Sequence, residues 1–248
     1  MKRLIPLFCI LFMTTSCSQE HVDHPFKVVA HQGYWRASAG ASNSIRGLEE
    51  SAALGIEGVE LDVRQTVDDS LVLCHDAVHG KYSISASTFN QIREIKLPDG
   101  SLIPTFREYV ACAKQYDDIA LFIDVKDGEC VKEMCSILNE QGMGTRAVFL
   151  ASYGLLTQIL ETNCGAKVLI MDGNCDIQRI KESGANGLSV GIEVLKQKTQ
   201  VIKEAHDLGL IVNAWVIKSE SEIIWCSLHD IDYVTTDSPL ECKHYLYQ

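Results

Sequence analysis

Short apolar or β-branched runs alternate with longer segments of helical periodicity along the chain from residue 27 onwards. The runs that we predict as strands are 27–31, 58–64, 120–125, 147–151, 167–171, 187–189, 210–216 and 233–236. A short extended piece, 71–75, follows the second of them. The segments that we predict as helices are 44–54, 106–115, 131–141, 155–162, 177–183, 196–208, 220–228 and a last one near the C-terminal end. The repeating unit is therefore a strand followed by a helix.

Strands that alternate with helices predict a parallel sheet with right-handed crossovers. Eight such units in a chain of 248 residues match the size of a (β/α)8 TIM barrel, which is roughly 250 residues. We therefore predict an α/β fold in which residues 27–248 form one parallel, eight-stranded barrel. A doubly wound open sheet is the alternative, and against it no glycine-rich phosphate loop follows the first predicted strand.

The N-terminal segment has the order of a secretory signal. Lys2 and Arg3 precede an apolar run, 4–13, which is followed by small residues and then Cys17. This order predicts a signal peptide over residues 1–16, since the run is shorter than the ~20 residues of a membrane span. A cysteine at this place resembles a bacterial lipoprotein signal. We therefore expect a lipid anchor on Cys17, a tether over 17–26 and a cell-envelope location, periplasmic or outer-membrane. A plain secretory peptide cut near the same point is the alternative.

The charge balance excludes one class of partner. Lys and Arg total 22 against 33 for Asp and Glu, which gives a formal net charge of −11. Such a surface repels nucleic acid and disfavours electrostatic docking on anionic lipid. A negative protein can still bind a small phosphate ester where a metal ion inverts the local field.

The cysteines are scattered along the chain, without a C-x-x-C pair or a histidine at zinc-finger spacing. This pattern argues against a structural zinc site. For the cysteines beyond Cys17 we expect either buried free thiols or, in an oxidising compartment, a disulfide between Cys164 and Cys175.

Acidic residues lie at the ends of two predicted barrel strands. Reactive groups of such barrels gather at the C-terminal ends of strands. Glu60 and Asp62 are two apart, so they point to the same face, and Asp124 ends the next predicted strand. Three carboxylates together are unfavourable unless a cation lies between them, and all-oxygen ligation suits Mg²⁺ or Ca²⁺ rather than zinc. The alternative is that they are exposed acids or salt-bridge partners inside the barrel.

Two histidines lie on either side of the proposed metal site. His31 ends the first strand and His75 ends the extended piece. Two imidazoles that titrate near neutral pH can serve as general base and general acid across a substrate. His79 is a weaker substitute for His75. We assign no role to the remaining histidines, which are His21, His24, His206, His229 and His244.

A series of short motifs resembles those of the glycerophosphodiester phosphodiesterase family, which is known by H-R-G, E-N-T, E-x-D-V and H-D in this order. The matching motifs are His31-Gln32-Gly33, Asn43-Ser44, Glu60-Leu61-Asp62-Val63 and His75-Asp76. Later motifs resemble the family's I-P-T, E-x-K, W-T-V-N and T-D-x-P, namely Ile103-Pro104-Thr105, Ile123-Asp124-Val125-Lys126, Trp215-Val216 and Thr236-Asp237-Ser238-Pro239. The resemblance runs from about residue 27 to the C-terminus.

The resemblance implies a TIM barrel that uses a divalent cation to hydrolyse a glycerophosphodiester to glycerol 3-phosphate and an alcohol. By motif position, Glu60, Asp62 and Asp124 would ligate the cation. His31 and His75 would be the acid–base pair. Lys126 would lie beside the phosphate and Trp215 would wall the pocket, although a tryptophan on a strand is more often core packing.

Several positions depart from the family pattern. Gln32 stands where the family has Arg and so loses a charged, bidentate phosphate contact. We expect Gln32 to face the substrate, with Lys126 or Arg36 compensating for the lost charge. Ser42, Asp124 and Lys218 replace the family's Glu, Glu and Asn. The segment 75–104 looks too short for an inserted subdomain.

Two other functions fit parts of the pattern. The departures at Gln32 and Ser42 are compatible with a barrel that binds a phosphorylated ligand without turnover. Paired carboxylates at barrel strand ends also suit a glycosidase. Against a glycosidase, Glu60 and Asp62 lie on one strand, too close together to flank a glycosidic bond.

Overall fold

The computed structural model describes residues 26–246. The predicted signal peptide, the lipid anchor on Cys17 and nearly all of the predicted tether lie outside these residues and stay predictions. The last residue assigned to the tether, Phe26, is buried against the barrel core.

The strands and helices of residues 26–246 follow the predicted alternation. The strands are β1 (Lys27–Ala30), β2 (Gly58–Gln65), β3 (Leu71–Leu73), β4 (Val78–His79), β5 (Tyr82–Ser83), β6 (Ala120–Val125), β7 (Ala147–Ala151), β8 (Lys167–Ile170), β9 (Gly187–Gly191), β10 (Ile211–Ile217) and β11 (Tyr233–Thr236). The α-helices are α1 (Ile45–Ala53), α2 (Phe89–Arg93), α3 (Phe106–Ala113), α4 (Val131–Gln141), α5 (Tyr153–Glu161), α6 (Ile177–Glu182), α7 (Ile192–Gln197), α8 (Gln200–Asp207), α9 (Glu220–Ser227) and α10 (Pro239–Leu246). Single 3₁₀ turns lie at Ile84–Ala86, Gly128–Cys130 and Gly144–Arg146.

The sheet closes on itself. β1, β2, β6, β7, β8, β9, β10 and β11 pair in parallel in this order, and β11 pairs in parallel with β1. The closing registers are Lys27 with Tyr233 and Val29 with Gly58. The predicted eight-stranded TIM barrel is confirmed, and the doubly wound alternative is wrong because an open sheet would leave β1 or another strand at an edge.

The predicted extended piece leaves the barrel. β3 pairs antiparallel with the end of β2, with Leu73 opposite Val63. This hairpin turns the chain back, so that His75 lies above the end of β2. The backbone N–H of Cys74 donates to the carbonyl oxygen of Asp62 at 3.0 Å and fixes the return.

The segment between His75 and Pro104, which we expected to be too short for a separate inserted subdomain, folds into a small cap. It contains the two-stranded sheet of β4 and β5, a 3₁₀ turn and α2. Its apolar cluster, separate from the barrel core, is Val72, Ile84, Ile92 and Ile103. Val72 of this cluster belongs to β3, so the cluster joins the cap to the hairpin.

The predicted helix 196–208 is two helices, α7 and α8. The break falls at Lys198, whose backbone (φ −130°, ψ 48°) leaves the helical region. Its ammonium donates to the carbonyl oxygens of Gly173 and Asn174, both at 3.0 Å. These contacts with the loop after β8 explain why the helical periodicity does not continue through this point.

The cysteines of residues 26–246 are free. The sulfur of Cys164 lies 3.1 Å from that of Cys135 in α4. The thiol of Cys175 instead contacts the carbonyl oxygens of Asp172 and Gly173. The expected pairing of Cys164 with Cys175 is therefore wrong, because the packing of α4 against α5 brings Cys164 to Cys135 while β8 carries the chain away to Cys175.

The apolar core lies mainly between the strands and the surrounding helices. A smaller cluster, Val29, Phe122, Val148, Leu150 and Leu169, fills the barrel interior. Above it, Asn213 donates to Ser189 and accepts from Thr235 within the barrel. Across residues 26–246, every helix is too short or too polar to cross a lipid bilayer.

Candidate active site

A cavity of about 330 Å³ opens at the C-terminal end of the barrel. It is lined by His31, Glu60, Asp62, His75, Asp124, Lys126, Leu150, Met171, Trp215, Val216 and Thr235. A larger cavity of about 620 Å³ lies at the opposite end, between residues such as Lys27, Glu57 and Asp118. Functional groups of (β/α)8 barrels lie at the C-terminal end of the strands, so the smaller cavity is the candidate active site.

Three carboxylates meet at the floor of this cavity. Glu60 and Asp62 come from β2 and Asp124 from β6, and the register places Asp62 directly opposite Asp124. One oxygen from each of the three lies within 4.8 Å of the others. Glu60 and Asp62 are only 3% and 1% exposed. The period-2 spacing on β2 and the neighbouring strand end therefore bring together the residues that the sequence singled out.

The electrostatics of these carboxylates fit a bound divalent cation. Burial raises the pKa of Glu60 well above its usual range, and the nearby charges of Asp62 and Asp124 raise it further. Burial also raises the pKa of Asp124. Carboxylates this close and this buried carry uncompensated negative charge, and their donor set consists of oxygen alone. The residues present fit a hard divalent cation.

Lys126 supplies part of the missing positive charge. Its ammonium lies 2.9 Å from Asp62 Oδ1 and 2.5 Å from Asp124 Oδ2. Although burial lowers the pKa of Lys126, these two carboxylates raise it by more, so the side chain stays charged. One ammonium beside three carboxylates leaves a net negative site.

Asp62 is held by amide groups on its other oxygen. Its Oδ2 accepts from Asn43 Nδ2 at 2.8 Å and from Gln32 Nε2 at 3.0 Å, while its backbone N–H donates to Asn43 Oδ1 at 3.0 Å. The backbone N–H of Gln32 donates to Glu60 Oε2 at 2.9 Å. Asn43 and Gln32 together therefore orient both carboxylates of β2.

The amide of Gln32 binds Asp62 and does not line the cavity, so its expected contact with the substrate stays a prediction. Its side-chain amide reaches Asp62 and its backbone N–H reaches Glu60, at a left-handed φ of 58°. Asn43, also left-handed at φ 57°, received no role from the sequence. Its place in the motif Asn43-Ser44 was the available signal.

His31 is oriented by a carboxylate from the last strand. Its Nδ1 lies 2.7 Å from Asp237 Oδ1, and its Nε2 lies 3.9 Å from Glu60 Oε2. Arg36 donates to the other oxygen of Asp237 at 3.0 Å and stacks on Trp35. Although burial raises the pKa of Asp237, His31 and Arg36 lower it below its usual range. The ionised Asp237 therefore accepts from Nδ1 and leaves Nε2 facing the cavity.

His75 lies at the rim of the same cavity. Its side chain is 56% exposed against 22% for His31, and its Nδ1 lies 2.9 Å from Asp76. Arg64 donates twice to its carbonyl oxygen and holds the backbone. His79, the weaker candidate, instead hydrogen bonds to the carbonyl oxygen of Ile95 in the cap and does not line the cavity.

The far wall of the cavity is apolar. Leu150 and Met171 come from β7 and the end of β8, and Trp215 from β10. Trp215 is partly exposed and lines the cavity, as expected from its motif. Lys218 points elsewhere and lines a separate surface cavity with Ser219.

The closed barrel and the polar groups at its C-terminal end define the class of protein: a TIM barrel whose mouth carries a cluster of carboxylates with histidines beside it. Residues 31–241 match the sequence profile of the glycerophosphoryl diester phosphodiesterase family. The chain belongs to this family and is a phosphoric diester hydrolase. This class excludes the glycosidase alternative. No curated protein matches the chain in sequence.

Solved structures of several phosphodiesterases have the same fold. A glycerophosphodiester phosphodiesterase from Parabacteroides distasonis is 25% identical, with a TM-score of 0.85 over 90% of this chain and 98% of that one. A glycerophosphodiester phosphodiesterase from Thermotoga maritima is 22% identical, with a TM-score of 0.73 over 88% and 98%. An Oleispira antarctica phosphodiesterase in complex with the product sn-glycerol-3-phosphate is 19% identical, with a TM-score of 0.76 over 90% and 97%.

Proposed function

We propose that the protein hydrolyses glycerophosphodiesters to glycerol 3-phosphate and an alcohol, with Mg²⁺ or Ca²⁺ as its cofactor. The observation that carries the proposal is the meeting of Glu60, Asp62 and Asp124 with His31 in one cavity. The family match supports the reaction class. The structural neighbour from Oleispira antarctica, solved in complex with the product sn-glycerol-3-phosphate, supports the product class.

Glu60, Asp62 and Asp124 would hold the divalent cation, which supplies a Lewis acid for a phosphoryl oxygen when bound. The side chains of the protein carry out the proton transfers. His31 accepts a proton at Nε2 from the attacking hydroxyl, either water or the neighbouring hydroxyl of the glycerol. Asp237 stabilises the imidazolium that results, since it faces Nδ1 at 2.7 Å.

His75 protonates the leaving alcohol in this proposal. Its position at the rim suits a group that departs into solvent, whereas His31 lies deeper. Acid–base assistance of this kind contributes roughly 10²–10⁴-fold.

Two cationic side chains compensate for the guanidinium charge that is lost with glutamine at position 32. Lys126 lines the cavity between two of the carboxylates and offers an ammonium to the phosphate. Arg36 lies on the His31 side, where Asp237 and Trp35 hold its guanidinium, and its planar donors suit phosphate oxygens.

The test is release of glycerol 3-phosphate from glycerophosphocholine and glycerophosphoethanolamine, with and without a chelator. We expect turnover that the chelator abolishes and that added Mg²⁺ or Ca²⁺ restores. Asp118→Asn is a matched control, because Asp118 is an exposed carboxylate at the opposite end of the barrel. Binding of these diesters without turnover in the presence of either cation would favour the alternative, a barrel that binds a phosphorylated ligand.

We also propose export through a signal peptide over residues 1–16 and lipid anchoring in the cell envelope at Cys17. The basic, apolar and small segments before Cys17 support this proposal. Metabolic labelling with a radioactive fatty acid tests it: the full chain should take up label, and Cys17→Ala should not. Label retained by Cys17→Ala would contradict the anchor.

A further inference from the structure

Cys135 and Cys164 bring their sulfurs to 3.1 Å. Cys135 lies in α4 and is 1% exposed, and Cys164 lies in the turn before β8 and is 6% exposed. A disulfide bond measures about 2.05 Å, so the two sulfurs need to approach by only about 1 Å to bond. The pair lies at the N-terminal side of the strands, away from the candidate active site.

The backbone around this pair is built for close approach. Gly144 follows α4, and a Cβ placed on it would lie 1.7 Å from the carbonyl oxygen of Cys164. Only a glycine lets the turn that carries Cys164 lie against the end of α4. The backbone of the turn that carries Cys164 is therefore held close to the segment that follows α4.

The two thiols differ in access. Cys164 borders a surface cavity of about 250 Å³ together with Leu160, Asn163 and Ala166, and Cys135 does not line it. A small disulfide that enters this cavity therefore meets Cys164 and not Cys135.

The two thiols also differ in charge. The contact with Cys135 lowers the pKa of Cys164 below its ordinary value, and although burial raises it, Thr162 and the backbone N–H of Ala166 lower it further. The same contact and burial raise the pKa of Cys135. A lowered pKa favours the thiolate, which is the nucleophilic form of cysteine, so of the two thiols Cys164 is the one that attacks first.

We propose that Cys135 and Cys164 form a redox site that closes to a disulfide when a small-molecule disulfide reaches Cys164. The Cys164 thiolate attacks one sulfur of the reagent, forms a mixed disulfide and releases one thiolate. Cys135 then loses its proton and attacks the sulfur of Cys164, which releases the second thiolate. Two protein thiols are oxidised and one reagent disulfide is reduced to two thiols.

The experiment treats the reduced full chain with oxidised glutathione and maps peptides without reduction. We expect one cross-linked species that joins the peptides of Cys135 and Cys164. In Cys135→Ser the reaction should stop with one glutathione on Cys164. In Cys164→Ser neither the cross-link nor a glutathione on Cys135 should form. Cys175→Ser is the matched control, since Cys175 is another buried thiol, and it should form the cross-link like the original chain.

Two results would overturn the proposal. One is a cross-link that joins other cysteines, such as Cys226 and Cys242, in place of this pair. The other is a reduced chain that keeps all its free thiols under conditions that oxidise a dithiol peptide. Both are read from the unsubstituted protein, so a variant that fails to fold does not affect them.

Discussion

The two sides of the barrel mouth are built from the same kind of parallel strand but differ in polarity. One side carries charged side chains, and the other carries apolar ones. The strands β11, β1, β2 and β6 are adjacent in the ring, and their ends carry Asp237, His31, Glu60, Asp62, Asp124 and Lys126. The other adjacent strands, β7 to β10, present Leu150, Met171 and Trp215 to the same cavity. The charged groups are thus contiguous and are not spread around the ring.

This division shows that the barrel gathers its charged side chains on one side of the cavity. Asp62 of β2 and Asp124 of β6 lie directly opposite each other, so their negative charges add up and attract a cation. The apolar side chains opposite exclude water from one face, and interactions between charges strengthen where water is excluded. We therefore expect substitutions in the charged half to change the reaction rate strongly and substitutions in the apolar half to change it slightly.

The largest effect is expected from the charged half at His31. His31→Ala removes the group that accepts the proton, and we expect kcat/KM for a glycerophosphodiester to fall roughly 10²–10⁴-fold. His79→Ala is the control, because His79 hydrogen bonds within the cap and does not line the cavity. Steady-state kinetics check both. Turnover of His31→Ala equal to that of the control would remove His31 from the mechanism.

The next largest effect is expected when the hydrogen bonds that hold Asp62 are removed. Asn43→Ala removes both hydrogen bonds that the amide makes with Asp62. Partners that orient a metal ligand typically contribute about 10–100-fold in metal affinity or activity. Calorimetric titration with Mg²⁺ or Ca²⁺ measures the affinity, with the neighbouring Ser42→Ala as control. An unchanged affinity would show that Asn43 does not position the ligand.

Substitution of Glu60 is expected to give a smaller effect. The effect is on thermal stability, and it depends on pH. Burial and the neighbouring carboxylates raise the pKa of Glu60 above its ordinary value of 4.5. A carboxyl group with a raised folded-state pKa binds its proton more readily when folded, so stability falls as pH rises from the ordinary value through the raised one. Without a cation, Glu60→Gln should therefore melt a few degrees higher than the original chain.

Melting curves in chelator check this prediction. The advantage of Glu60→Gln should be larger at about pH 8 than at about pH 5, where the unfolded chain also holds part of its protons. Added Mg²⁺ or Ca²⁺ should raise the melting temperature of the original chain more than that of the variant, because a bound ligand stabilises the folded state. An advantage that shrinks from about pH 5 to about pH 8 would contradict the assignment.

The sequence predicted the parts of the site that depend on local periodicity. Glu60 and Asp62 share a face because they are two apart on a strand, and Asp124 joins them because consecutive strands of the barrel pair. The partnership of His31 with Asp237 depends on the closure of β11 on β1, the longest-range contact of the ring. Asp237 was visible as the end of the eighth strand, but its partner could be known only from the closed ring.

Other features depend on backbone geometry that residue types do not specify. Gln32 and Asn43 adopt left-handed conformations, which non-glycine residues rarely do, and these turn both amides towards Asp62. Cys135 meets Cys164 through helix packing outside the ring, where no periodic signal relates the two positions. The strand periodicity therefore determines the position of the carboxylates, and loop geometry determines their partners.

The smallest effect is expected from the apolar half, at Met171. Met171→Leu keeps the volume and the apolar character of the wall, and such exchanges usually cost less than about 1.5 kcal/mol of stability. We expect KM and kcat to stay within about twofold of the original values, which corresponds to about 0.4 kcal/mol of binding or activation free energy, because the wall keeps its shape and its apolar character. Met171→Glu is the contrasting variant, because a carboxylate on this wall would repel a phosphodiester and raise KM. A tenfold loss in Met171→Leu would show that the thioether itself contacts the reacting groups, and the division between a charged and an apolar half would then fail at this residue.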